Sequence, residues 1–363
     1  MISEENMPIQ DVYTIGLDPN AANYDVLTPL SFLLRTAHIY PEFPAVVYGD
    51  LRRTWGETYT RIRRAASALA ARGVRKGDTV SIIAANIPEM FEAHFAVPMA
   101  GGVLNTINTR LEPETIAYIL DHSDSRLVIC DTSLAAVLDA AFSRLGRKLP
   151  IVAITDPATP TSIAGALDYA DLTGHAPMSW ELPSDEWQAL ALNYTSGTSG
   201  RPKGVVYHHR GAWIMAMGTV AGWNLPLNPT YLSVVPMFHC NGWNHPWAMA
   251  IVGAHLVFSR DQSPAALLTT IADHGVTHLG AAPVILQMLC ESPAAPATPF
   301  DPAVKVMTAG APPPPAVLER ATRLGLQVMQ VYGPTETYGH ISQCLGQDDG
   351  ANLPPADQAA QQA

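Results

Sequence analysis

Residues 194–207 read Tyr-Thr-Ser-Gly-Thr-Ser-Gly-Arg-Pro-Lys-Gly-Val-Val-Tyr, and the chemistry open to such a stretch is the holding of an anion. Gly197, Gly200 and Gly204 allow backbone turns that a Cβ would obstruct, so successive N–H groups can converge on one negative group. Thr195, Ser196, Thr198 and Ser199 add hydroxyl donors, and Lys203 adds a compact ammonium on a flexible stem. The pattern points to a grip for polyphosphate. Gly, Ser, Thr and Pro also build plain surface turns, but such turns need no lysine ringed by donors. A Walker A loop is excluded because the chain has no Gly-Lys pair, and a hydrolase elbow because Ser199 is followed directly by Gly200 and Arg201.

Three other stretches carry reactive or ligating side chains: residues 236–243 (Pro-Met-Phe-His-Cys-Asn-Gly-Trp), 308–312 (Thr-Ala-Gly-Ala-Pro) and 332–340 (Tyr-Gly-Pro-Thr-Glu-Thr-Tyr-Gly-His). His239 and Cys240 make a poor nucleophile pair, since neighbours on an extended chain point to opposite faces. With His245 they lack a recognised zinc spacing. His239 stays open between a core histidine and a site residue. Glu336 is the hard oxygen ligand that Mg²⁺ prefers, or else a solvated loop carboxylate. Pro312 to Pro315 reads as a rigid lead into a helix.

The elements that must position these groups alternate. A hairpin around Gly49-Asp50 precedes a helix whose stripe is Tyr59, Ile62, Ala66 and Leu69, with Arg61, Arg63 and Arg64 expected on its solvated face. From Thr79 the pattern predicts strands over 80–84, 103–107, 127–130 and 150–154, separated by helices over 88–100, from Pro113, and over 134–145. A strand over 189–193 feeds the glycine-rich loop and 205–207 leaves it, placing the loop at a strand end, where open α/β sheets bind ligands. Beyond it come helices over 210–221, 264–274, 283–291 and 316–324, and strands over 231–235, 254–258, 305–308 and 327–332. Such alternation implies an α/β fold with two mainly parallel sheets covered by helices.

Composition narrows the function. At 363 residues the chain is long enough for several cores, and with 15% charged residues it is less charged than usual. A net charge of -11 with scattered Lys and Arg excludes a nucleic-acid stripe. The four cysteines, Cys130, Cys240, Cys290 and Cys344, show neither zinc nor disulfide spacing, so a reducing cytoplasm is expected. No apolar run is long enough for a membrane span.

Together the four motifs resemble those of the acyl-adenylate-forming superfamily, the AMP-dependent acyl-CoA synthetases and ligases, from about Pro29 to His340. The resemblance implies ATP-dependent activation of a carboxylic acid to an acyl-adenylate, then thioester formation with CoA. It implies that Thr195, Ser196, Gly197, Thr198, Ser199, Gly200 and Lys203 cradle ATP. Gly310, Ala311 and Pro312 would lie along the adenine, with Tyr332 and Gly333 beside it, Thr335 on the α-phosphate and Glu336 on Mg²⁺. His239 would stand at the mouth of the acyl pocket. Lys203, His239, Thr335 and Glu336 are thus the implied catalytic set. Amino-acid-activating relatives place an aspartate after the histidine motif, where this chain has Cys240, Asn241 and Gly242. A small to medium apolar acid is the expected substrate, with Met237, Trp243, Trp247 and residues 282–284 as candidate walls.

The resemblance also implies a division into residues 75–206, ending in the phosphate loop, a discontinuous unit of 1–74 plus 207–345, and a tail of 346–363. Relatives continue beyond the match to His340 into a small C-terminal domain, so its absence is expected here. Weak or absent complete ligation and a tendency to form a homo-oligomer are expected to follow. A non-catalytic binder of nucleotide or acyl groups is the alternative.

Overall fold

The computed structural model describes residues 15–156, 161–177, 179–195 and 200–345. Its strands begin with β1 (Pro44–Tyr48), β2 (Leu51–Thr54), β3 (Thr79–Ile83), β4 (Val103–Thr106), β5 (Ser125–Asp131), β6 (Ile151–Ile154) and β7 (Leu167–Asp168). They continue with β8 (Ala189–Thr195), β9 (Lys203–His208), β10 (Thr230–Leu232), β11 (His255–Phe258), β12 (His278–Gly280), β13 (Val304–Thr308), β14 (Leu326–Tyr332) and β15 (Ser342–Gln343). One sheet runs β7-β6-β5-β3-β4-β8-β9 and the other β15-β14-β13-β12-β10-β11-β1-β2. Pairing is parallel except at β8·β9, β1·β2 and β14·β15. This is the mixed α/β architecture with two helix-flanked sheets that the alternating pattern implies.

The parallel strands are buried on both faces because crossover helices cover them, and all five residues of β3 are buried. Several helices start where Pro sits in the first turn, at Pro88–Met99, Pro113–His122, Pro264–His274 and Pro283–Glu291. The helix Trp55–Ala71 starts at a reciprocal cap between Thr54 and Glu57. Pro88–Met99 is apolar nearly all round and lies between the layers. Its Phe91 meets Trp55, Phe95 and, on the other sheet, Phe258, at ring distances of 6.3, 5.3 and 6.2 Å. One apolar cluster therefore contains residues of both sheets.

Two of the differences from the sequence expectation lie in the layer between the sheets and ahead of the first hairpin. Arg61 is not on a solvated face: its Nε donates to Glu92 at 2.8 Å, and Arg53 Nη1 donates to the same carboxylate at 2.8 Å. Glu92 has no exposed surface, because it lies on the buried helix, and a buried carboxylate must be paired. The second is a helix at Leu30–Ile39, ahead of the hairpin with which the predicted elements begin. Across the sheets, Arg260 Nη2 donates to Asp131 at 2.8 Å and to Asp156 at 2.9 Å.

Candidate functional site

β8 and β9 pair antiparallel with Thr195 opposite Lys203, so the strands that flank the glycine-rich stretch lie side by side. Ser196, Gly197, Thr198 and Ser199 fall outside the described residues. Gly200 has φ +85°, a conformation that glycine adopts freely. Lys203 is exposed and enters no ion pair among the described residues. Beneath the loop, Tyr118 Oη donates to the Pro202 carbonyl at 3.3 Å, and the His122 ring nitrogen Nδ1 lies 2.8 Å from Tyr194 Oη. The Arg201 guanidinium sits 5.9 Å from the Tyr118 ring centre. The helix Pro113–His122 thus braces the loop, a role no local sequence signal disclosed.

From the other sheet, β14 delivers residues 332–340. Gly333 is obligatory, since a Cβ there would collide with the Gly339 carbonyl. Thr335–Thr337 forms a short 3-10 turn, which leaves Glu336 exposed and Thr335 half-buried. Tyr207, near the end of β9, donates from Oη to the Thr335 carbonyl at 2.6 Å and stacks on Tyr338 with ring centres 4.0 Å apart. The His208 N–H donates to Tyr338 Oη at 3.0 Å. Burial, with Cys240 beside it, pushes the Tyr207 phenol well above its ordinary pKa, so it stays a neutral donor.

Residues 236–243 complete the convergence. Cys240 Sγ lies 3.0 Å from Thr335 Oγ1, and desolvation raises its thiol pKa, which keeps it protonated. His239 is exposed at the cleft, and the surrounding protein still lowers its imidazole pKa by desolvation, which favours the neutral ring. Cys240, Asn241, Gly242, Trp243 and Asn244 have φ of +49°, +50°, +60°, +55° and +56°, one left-handed turn. Each L-residue held there costs about 1–2 kcal/mol, so this turn requires strong tertiary support. His239 itself is extended, with φ -107° and ψ 110°, so the expected extended geometry fails only at Cys240.

Gly310, Ala311 and Pro312 are exposed and lie past the carboxyl end of β13, whose Thr308 pairs with Gln330 of β14. A small cavity of mixed polarity beside them is bounded by Cys240, Trp243, Met307, Ala309, Val331 and His340. Of the candidate acyl walls, Trp243 lines this cavity, and Met237 lines a second pocket with Val235 and His245. Trp247 is fully buried core, with Nε1 donating to the His94 carbonyl at 3.4 Å, and Val284 is 59% exposed on its helix. Helical phase, invisible in an apolar run, separates these residues. No group of three or more His, Cys, Asp or Glu among the described residues forms a metal cluster. The single exposed carboxylate of Glu336 suits Mg²⁺, which keeps waters and takes phosphate oxygens as its other ligands.

A model of the AMP-binding enzyme family matches residues 33–361. The chain belongs to this family. Among relatives, it is 43% identical over 354 residues to a peroxisomal acetate/butyrate–CoA ligase of Arabidopsis thaliana, covering 93% of this chain and 62% of that one. The inhibitor-bound N-terminal domain of FACL13 from Mycobacterium tuberculosis superposes with a TM-score of 0.78 at 26% identity, covering 89% of this chain and 80% of that one. The o-succinylbenzoate CoA synthetase of Bacillus subtilis, in complex with ATP and magnesium ion, gives a TM-score of 0.73 at 26% identity, covering 86% of this chain and 61% of that one. The chain spans about three fifths of the length of the curated relatives it matches. No helix among the described residues is long and apolar enough to cross a membrane.

Proposed function

We propose that this AMP-binding chain activates a small to medium apolar carboxylic acid. The acid's carboxylate oxygen attacks the α-phosphorus of ATP, the bond to the β-phosphate breaks, and acyl-adenylate and pyrophosphate result. The CoA thiolate then takes the acyl group and AMP leaves. The observation that carries this reading is the knot at Thr335, where β9 through Tyr207 and the His239 segment through Cys240 meet the residue before Glu336.

A carboxylate is ionised near neutral pH, so the site needs little base catalysis and much electrostatic help. Thr195, Gly200 and Lys203, with Ser196 to Ser199, are assigned to the triphosphate; Gly310 to Pro312, Tyr332 and Gly333 to the adenosine; and Thr335 to the α-phosphate. Glu336 would hold Mg²⁺, which when bound shields phosphate charge. Neutral His239 is assigned to the substrate carboxylate. The cavity bounded by Trp243, Met307 and Val331 favours the short end of the acid range, in keeping with the acetate/butyrate specificity of the Arabidopsis relative. The unit boundaries at residues 75 and 207 and a cytoplasmic location belong to the same proposal.

The test is calorimetric titration with Mg·ATP, followed by pyrophosphate release and hydroxylamine trapping with a panel of two- to six-carbon acids. Saturable nucleotide binding and hydroxamates from the short acids are expected. Absence of nucleotide binding at millimolar Mg·ATP overturns the assignment.

A further inference from the structure

The left-handed turn at Cys240–Asn244 is buried, Asn241 and Asn244 having no exposed surface. Neither Cys240 nor Trp243 is a residue that takes this conformation unaided. Its support is specific. Asn193, on β8 two residues before Thr195, donates from Nδ2 to Asn241 Oδ1 at 2.7 Å and accepts the Asn241 backbone N–H on its Oδ1 at 3.2 Å. The same Oδ1 accepts from Thr106 Oγ1 at 3.3 Å. This amide-to-amide pair resembles a short rung between the strand entering the glycine-rich loop and the middle of the turn. At its far end, Asn244 accepts from Thr219 Oγ1 at 3.3 Å and donates to the Tyr338 carbonyl at 3.5 Å.

We propose that Asn193 and Asn241 are positioning residues that clamp the left-handed turn and thereby register His239 and Thr335 against the phosphate loop. Neither amide touches the candidate nucleotide surface in this reading; both act through the turn. The turn begins immediately after His239, and its first residue, Cys240, reaches Thr335 Oγ1. The Thr335 carbonyl in turn accepts from Tyr207 on β9. With the amide pair gone, the turn loses both bonds that tie it to β8, and its middle keeps only the internal Gly242-to-His239 and Asn244-to-Cys240 backbone bonds, so the backbone can relax toward the right-handed region, which withdraws Cys240 from Thr335. The inference rests on the proposed nucleotide site for its consequence, but not for the integrity of the clamp.

Two readouts separate these. The full chain and its Asn193→Ala, Asn241→Ala and doubly substituted forms are alkylated with iodoacetamide well below their melting temperatures, with Cys240 followed by mass spectrometry, and Mg·ATP binding is measured in parallel. Each single substitution is expected to speed Cys240 alkylation at least tenfold and weaken nucleotide binding at least threefold. The double form is expected to match Asn193→Ala, which already removes both bonds, whereas Asn241→Ala keeps its backbone N–H to Asn193 and removes only the amide-to-amide bond. Asn193→Asp keeps the acceptor and loses the donor, and is expected to fall between; it decides the matter should Asn193→Ala not fold. Wild-type alkylation rates in the folded variants, or effects that multiply in the double form, overturn the clamp. Failure of the wild-type chain to bind Mg·ATP while the alkylation pattern holds overturns the nucleotide reading and leaves the clamp standing.

Discussion

Two buried polar arrangements in this chain are held by opposite means. Around Glu92, a carboxylate without exposed surface is neutralised by Arg53 and Arg61 at 2.8 Å each, on a regular helix with no backbone strain to offset. Around Asn241, no formal charge is buried, and neutral amides instead hold five consecutive residues in the left-handed region. The first arrangement lets a polar side chain survive inside the layer between two sheets. The second spends stability on a backbone shape, and it does so beside Thr335 and His239. Strain without charge marks the place where geometry is being enforced, whereas charge without strain marks a packing solution.

The comparison breaks most easily at Glu92. Glu92→Ala strips Arg53 of its counter-charge and leaves Arg61 only the more distant Glu89 at 3.9 Å, and is expected to cost about 3–5 kcal/mol in urea unfolding, with Cys240 alkylation unchanged in the folded fraction. A loss under about 1 kcal/mol would class the cluster with solvated pairs. Next in size is a pH effect on the same helix. His94 is fully buried, its Nδ1 lies 2.8 Å from the Met90 carbonyl, and burial pushes its pKa down to about 4. On acidification the unfolded chain takes up this proton first, so the contribution is complete above about pH 6.5 and is lost as the pH falls toward 4. His94→Gln is expected to reduce the stability lost between pH 7 and pH 4 by about 2–3 kcal/mol, and identical pH profiles would discard the assignment. The smallest effect sharpens the site side. Lys203→Ala is expected to weaken Mg·ATP binding about tenfold, or about 1.4 kcal/mol, while stability changes by less than about 0.5 kcal/mol because the side chain is exposed. An unchanged titration would move the triphosphate elsewhere.

Much of the fold was legible because its signals are local. Prolines at first turns marked the helices at Pro264 and Pro283, and apolar runs marked β3 and β5. The strand His278–Gly280 escaped, since three residues carry no period, and so did the antiparallel sense of β9. In the site, the motif residues were legible by type and spacing. Asn193, Asn241, Tyr118 and His122 were not, because each looks ordinary beside its chain neighbours and gains its role from a partner dozens of residues away.

By itself, then, the sequence determined the alternation of strands and helices, the donor-rich loop at residues 194–207 and the family to which both belong. Only tertiary structure decided that Arg61 is paired rather than solvated, that Trp247 is core while Trp243 lines a cavity, and that residues 240–244 turn left-handed. The reason is physical: periodicity and turn chemistry act over a few residues and are written along the chain. The pairing of buried charges and the support of a strained backbone are settled by whichever groups the fold brings within hydrogen-bonding distance.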